Sequence, residues 1–91
     1  MTVRLSEEAA EQLEDILDYL EKKWSVRTRN NFIDKLERSF DSIITFPTGY
    51  PRSEKYPDLR KCVINPQTIA FYRIRANYIE IVSIINASQN K

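Results

Sequence analysis

The segments "TIAFYRIR" (residues 68–75) and "YIEIVSII" (residues 78–85) decide the fold of this chain. Both are rich in β-branched and aromatic residues, which favour extended strands. Only Ala76 and Asn77 lie between them, and asparagine tolerates the positive φ angles of tight turns. The two segments are therefore predicted to form an antiparallel β-hairpin.

A third strand is predicted immediately before the hairpin. The segment "LRKCVI" (residues 59–64) alternates weakly between polar and apolar residues, and the turn-forming triplet Asn65-Pro66-Gln67 follows it. Upstream, residues 46–58 contain three of the four prolines and the only glycine. That composition is typical of a loop.

The N-terminal half has the periodicity of two amphipathic helices. Ser6 is a suitable N-cap for the first, and Glu7 and Glu8 suit the positive end of its dipole. The second ends near Thr45, because Pro47 follows. Only two residues separate the helices, which predicts an antiparallel helical hairpin. Apolar residues with helical spacing are Ala9, Ala10, Leu13, Ile16, Leu17, Leu20 and Trp24 in the first helix, and Val26, Phe32, Ile33, Leu36, Phe40, Ile43 and Ile44 in the second.

The predicted order of elements is β-α-α-β-β-β, with "VRL" (residues 3–5) as a short first strand. This order belongs to the α+β class, with a small antiparallel-rich sheet and the helical hairpin packed on one of its faces. The chain has 91 residues and no visible linker or repeat. Residues 1–91 are therefore predicted to form one domain.

The last strand carries apolar residues on both faces. Strict alternation places Ile79, Ile81 and Ile85 on one face, which is expected to meet the helices. It places Val82 and Ile84 on the other face, where they are exposed unless a partner covers them. Val82 and Ile84 are therefore candidate partner-binding residues.

Charge is divided unevenly along the chain. Residues 1–46 contain seven Lys or Arg against ten Asp or Glu, whereas residues 47–91 contain seven against three. A basic surface favours an anionic partner such as nucleic acid or an acidic protein segment, although the same side chains also suit a solvated face. Arg60 and Arg73 are the candidate binding residues of this half.

Few residues suit catalysis or metal binding. The chain has no His and a single cysteine, Cys62, so a disulfide within the chain is excluded and no zinc site, other metal or cofactor is expected. Alternation in its strand makes Cys62 a packing residue. No leader is visible, and no apolar run approaches the roughly 20 residues of a membrane helix. A cytoplasmic location, without membrane contact, is expected.

The order and spacing of several segments resemble the ParE/RelE superfamily of bacterial type II toxin-antitoxin toxins, and ParE more than RelE. These segments are "VRLSEEAAEQLEDILDYLEKKW", "FP", "YP", "LRKCVI", "IAFYRI" and "YIEIVSII". The resemblance implies the toxin of a plasmid stabilisation, or addiction, module. It further implies that the protein binds and inhibits DNA gyrase, arrests growth, is neutralised by a cognate ParD-like antitoxin, and meets operator DNA only through that antitoxin.

The resemblance also leaves two alternatives. RelE-like members cleave mRNA on the ribosome with four cationic positions, which correspond here to Arg60, Cys62, Ile69 and Ala87 or Ser88. Only Arg60 is cationic, and losing two or three such groups would raise a reaction barrier by several kcal/mol. A binding toxin is therefore expected rather than an enzyme. Ser88 also stands where many relatives carry an arginine, which leaves a non-toxic antitoxin-binding relative as the second alternative.

Overall fold

The computed structural model describes residues 1–87 and has the predicted α+β order. Two helices are followed by a hairpin-rich C-terminal half, and the four strands form one sheet in the order β1-β4-β3-β2. β1 runs parallel to β4, and the other neighbours are antiparallel. The elements are β1 (Thr2–Leu5), α1 (Glu7–Lys23), α2 (Val26–Thr45), β2 (Arg60–Asn65), β3 (Thr68–Ile74) and β4 (Tyr78–Asn86).

Both helices begin where a serine caps them. The Ser6 hydroxyl accepts a hydrogen bond from the Ala9 N–H at 3.0 Å, which confirms the predicted N-cap. Ser25 accepts one from the Thr28 N–H at 3.0 Å. Each cap satisfies an N–H group that has no partner inside its helix. α2 ends at Thr45, as predicted from Pro47.

The helical hairpin covers one face of the sheet and encloses the core. Tyr72, Ile79 and Ile81 are fully buried at the centre of the sheet. Burying each such side chain contributes about 1.5–3 kcal/mol relative to leaving it in water. The buried apolar cluster comprises Ala9, Ile16, Phe32, Leu36, Ile43, Cys62, Ile64, Ala70, Tyr72, Ile79, Ile81 and Ile84. Within residues 1–87, neither helix is long and apolar enough to span a bilayer.

A β-bulge in β4 changes which residues face the helices. Phe71 pairs with Ser83, but the next residue, Tyr72, pairs with Ile81, so Val82 is an extra residue in the ladder. One extra residue reverses the alternation beyond it. The core face of β4 therefore carries Ile79, Ile81 and then Ile84.

Ile84 was predicted to be exposed, and that prediction is wrong. Its side chain is 1% exposed, and its N–H donates to the Gln12 side-chain oxygen at 2.7 Å. Ile85, which was predicted to face the helices, is instead 42% exposed on the opposite face. The predicted strict alternation of β4 is therefore correct for the residues before the bulge at Val82 and wrong for those after it.

Candidate partner-binding surface

The face of the sheet turned away from the helices, here called the outer face, carries a groove. Phe71 and Arg73 of β3 and Ile85 of β4 alternate with buried residues, so their side chains lie on this face. Residues of the preceding loop form one wall. The groove has a volume of about 430 Å³ and is called the outer groove; its lining residues are Glu8, Tyr56, Asp58, Leu59, Phe71, Arg73, Val82, Ser83 and Ile85.

A row of apolar residues extends the outer groove across the sheet. Val63 of β2 lies opposite Ile69 of β3, which lies opposite Ile85 of β4. Val63 is 62% exposed. Directly opposite side chains in neighbouring strands touch, so the row forms one continuous apolar strip. An exposed strip of this kind is typical of a protein-binding surface.

Charged residues form one rim of the outer groove. Arg73 pairs with Asp58 at 3.2 Å and with Glu80 at 3.3 Å. Glu80 also accepts from Arg75 at 3.0 Å. Surface ion pairs of this kind contribute only about 0–1 kcal/mol each. Arg73 is therefore a partnered rim residue rather than an isolated cation.

Val82 is held at the groove by the beginning of α1. The Ser6 hydroxyl donates to the Val82 carbonyl oxygen at 2.8 Å, and the Ser6 N–H donates to the Ile81 carbonyl oxygen at 2.9 Å. The bulge is thus tied to the helix that Ser6 caps. As a result, Glu8 in the first turn of α1 lies at the edge of the outer groove.

Arg60 lies on the other side of the sheet. It pairs with buried Tyr72 in the ladder and therefore faces the helices. Its guanidinium donates to the Tyr50 carbonyl oxygen at 2.7 Å and to the Thr48 carbonyl oxygen at 3.2 Å. Arg60 thus holds the loop before β2 and takes no part in the outer groove.

Two buried groups near Arg60 are held in their neutral forms. Burial raises the pKa of the Tyr72 phenol to about 12, and its hydroxyl donates to the Pro47 carbonyl oxygen at 2.6 Å. Burial also raises the pKa of the Cys62 thiol, although hydrogen bonding with Tyr50 and Ser39 opposes that shift. At neutral pH neither group supplies a base or a thiolate nucleophile.

The positions that correspond to RelE-type nuclease residues do not meet on one surface. Arg60 and Cys62 face the helices, whereas Ile69 lies on the outer face. Ser88 lies outside the described residues. Within residues 1–87, no group of three or more His, Cys, Asp or Glu side chains is arranged to hold a metal ion.

Of the five residues expected to bind a partner, the structure brings two together. Arg73 and Val82 line the outer groove, whereas Arg60 faces the helices and Ile84 is buried. The sequence reasoning missed the apolar groove residues Phe71 and Ile85, and it did not place Tyr56 with them. The signal for Phe71 was the alternation of β3, in which Phe71 stands between the buried residues Ala70 and Tyr72. No local signal placed Tyr56 beside them.

Comparison with known proteins agrees with this architecture. Residues 3–91 match the family described as the ParE toxin of the type II toxin-antitoxin system parDE. A curated relative, Toxin ParE1 of Caulobacter vibrioides, is 28% identical over 88 residues, which cover 96% of this chain and 90% of that protein.

Two solved structures share the fold. The chromosomal ParDE system from P. aeruginosa aligns with a TM-score of 0.79 at 17% identity, covering 94% of this chain and 95% of that one. The E. coli DinJ–YafQ complex aligns with a TM-score of 0.63 at 10% identity, covering 97% and 94%. Because the family match spans almost all of the sequence, the chain belongs to the ParE toxin family of type II toxin-antitoxin systems.

Proposed function

We propose that this toxin acts by binding DNA gyrase, and that a cognate ParD-like antitoxin neutralises it by covering the outer groove. The observation that carries the proposal is the position of Arg60. Metal-free RNA cleavage needs a base, an acid and cations directed at one phosphate. Arg60, the one cation at the corresponding described positions, is directed at the carbonyl oxygens of Tyr50 and Thr48 instead. This supports a toxin that acts by binding.

The outer groove supports an antitoxin partner. Its floor is apolar at Phe71, Val82 and Ile85, and its rim is charged at Arg73 and Asp58. Protein interfaces combine an apolar centre with a polar rim in the same way. An amphipathic segment of the antitoxin fits this surface, with apolar side chains at the groove and polar side chains at the rim. The operator sequence is then recognised by the antitoxin.

The target is tested with the purified chain and purified gyrase. We expect supercoiling to be inhibited and complexes of gyrase with cleaved DNA to accumulate. Primer extension on transcripts from induced cells is expected to show no new cleavage sites. Unchanged supercoiling together with cleavage of transcripts would replace the gyrase proposal with a RelE-type ribonuclease.

Growth assays separate an active toxin from a non-toxic relative. We expect induction without the antitoxin gene to arrest growth, and coexpression of that gene to relieve the arrest. Normal growth of the wild-type chain, together with arrest by a Ser88→Arg variant, would assign the protein as a non-toxic relative that still binds its antitoxin.

The antitoxin surface is tested by a charge placed in the outer groove. Ile85→Glu puts a carboxylate on the apolar floor, so we expect antitoxin affinity to fall at least about 10-fold, since desolvating an unpaired charge costs more than 1.4 kcal/mol. Val26→Glu is the matched control, because Val26 is also exposed but lies at the start of α2. Equal affinity of the two variants would show that the antitoxin binds elsewhere.

A further inference from the structure

A second concave surface lies between α2 and β2, away from the outer groove. Lys35, Arg38, Ser39 and Ser42 are spaced i, i+3, i+4 and i+7 along α2, so they share one face of the helix. That face borders β2, the edge strand of the sheet. The cleft between them, here called the α2–β2 cleft, has a volume of about 310 Å³ and is lined by Lys35, Arg38, Ser39, Ser42, Tyr50, Cys62, Val63 and Ile64.

Both cations of the cleft are available to a ligand. Lys35 and Arg38 are exposed and make no ion pair or hydrogen bond within the described part of the chain. The carboxylates of α2 do not line the cleft. Arg73, by contrast, is paired with two carboxylates at the outer groove. Among residues 1–87, the cleft therefore combines two unneutralised cations in one concave surface.

Hydroxyl groups lie beside the two cations. Ser42 and Tyr50 share a hydrogen bond of 2.7 Å between their side-chain oxygens. Such a pair uses one of its two hydroxyl hydrogens, and the other can donate to a ligand in place of the Cys62 sulfur. Ser39 adds a third hydroxyl. No carboxylate lines the cleft, so nothing in it repels an anion.

The positive charge continues along the edge of the sheet. Arg52 follows Tyr50 by two positions and forms a β-bridge to Arg60 beside β2, whereas Lys61 pairs with Phe71 and so lies on the outer face. Arg52 makes no ion pair within residues 1–87, and its guanidinium donates only to the Pro57 carbonyl oxygen, at 3.0 Å. A series of charges suits a ligand that carries repeated anions, and a nucleic-acid backbone is such a ligand. A ligand with a single carboxylate would contact only the cations of the cleft.

We infer that the α2–β2 cleft binds a backbone phosphate of duplex DNA, with Lys35 and Arg38 as its cationic contacts and the Ser39, Ser42 and Tyr50 side chains as its hydroxyl contacts. Arg, Lys, Ser and Tyr are the side chains that contact DNA phosphates without reading sequence. The site goes beyond the proposed gyrase binding, because it gives the toxin a direct and sequence-independent contact with DNA. It does not depend on which protein the toxin inhibits.

The test is binding of the full chain to a short fluorescein-labelled DNA duplex, followed by fluorescence anisotropy over a range of salt concentrations. We expect the double variant Lys35→Gln/Arg38→Gln to bind more weakly and to reduce the slope of log K against log salt by about 1, because one phosphate loses its cationic contacts. The control Lys23→Gln/Arg27→Gln removes one Lys and one Arg at the turn between the helices and is expected to retain the wild-type slope.

The hydroxyl contacts are tested separately with Tyr50→Phe, which keeps the aromatic ring and removes the oxygen. We expect weaker DNA binding with an unchanged salt slope, since no charge is lost. Three results would each overturn the inference: no binding of wild-type protein to the duplex, equal losses in the two double variants, or tighter binding of a poly-glutamate peptide than of DNA at the same salt concentration. The last result would assign the cleft to an acidic protein partner.

Discussion

The guanidinium of Arg60 lies 2.7 Å from the carbonyl oxygen of Tyr50. This contact joins the first residue of β2 to the proline-containing loop, and a second bond to the Thr48 carbonyl oxygen at 3.2 Å strengthens it. The residue that the resemblance to RelE-like nucleases would make a phosphate contact therefore holds the loop before β2. The distinction between the two roles can be measured.

Replacing Arg60 is expected to reduce stability rather than remove a catalytic group. Arg60→Gln loses charge-assisted bonds to two carbonyl oxygens, so the free energy of unfolding in urea should fall by about 1.5–3 kcal/mol. Arg27→Gln, at an exposed arginine of α2, should stay within about 0.5 kcal/mol of wild type. Unchanged stability of Arg60→Gln together with loss of toxicity would point to a functional role instead.

Because of the bulge at Val82, Ile84 is buried and Ile85 is exposed, so we expect their replacement to have unequal effects on stability. Ile84→Ala leaves a cavity in the core and should lower the free energy of unfolding by about 2–5 kcal/mol. Ile85→Ala removes a side chain that is 42% exposed, so its cost should be below about 1 kcal/mol. Urea denaturation of the two variants measures both values. The opposite ranking would mean that β4 alternates strictly and has no bulge.

Much of the fold was predictable because local physics determines it. The helical periods, the Ser6 cap, the stop before Pro47 and the hairpin at Ala76 and Asn77 are all short-range features, and the structure contains each of them. The bulge was not predictable from local patterns, and the contacts made there join Ser6 to the backbone of Ile81 and Val82, more than 70 positions away.

The candidate site was predictable only in part for the same reason. Arg73 was expected to be a binding residue, and its alternation with Tyr72 placed it opposite the core. The role of Arg60 depends on where the loop carbonyl oxygens of Thr48 and Tyr50 lie, and no local pattern encodes that. Assembly of the outer groove likewise requires residues 56–59 to fold against β3.

Ser6 is expected to be the more important of the two helix caps. Its hydroxyl accepts from Ala9 and donates to the Val82 carbonyl oxygen, whereas the Ser25 hydroxyl is exposed and its bonds are to Thr28 alone. Ser25→Ala should cost about 1 kcal/mol as a lost cap. Ser6→Ala should cost about 1 kcal/mol more, because it also removes the bond to Val82. Equal losses in urea denaturation would show that the bond at the bulge contributes nothing.

The buried phenol of Tyr72 is expected to make the protein less stable at alkaline pH. Its pKa is about 12 in the folded chain, against an ordinary value of about 10. Because the folded state holds the proton more tightly, this contribution is complete below about pH 10 and is lost as the pH rises from about 10 towards about 12. The decline is at most about 1.4 kcal/mol per pH unit.

The phenylalanine variant isolates this contribution. At neutral pH, Tyr72→Phe should be less stable than wild type by about 1–3 kcal/mol, because the Pro47 carbonyl oxygen loses its buried donor. Above about pH 10 the difference should shrink, since only the wild-type chain has the Tyr72 phenol to ionise on unfolding. Tyr78→Phe, at a tyrosine whose hydroxyl makes no hydrogen bond within residues 1–87, should be nearly as stable as wild type at neutral pH. A difference between wild type and Tyr72→Phe that stays constant or widens above pH 10 would contradict a raised pKa and would mean that the ionised phenol is accommodated beside the Arg60 guanidinium.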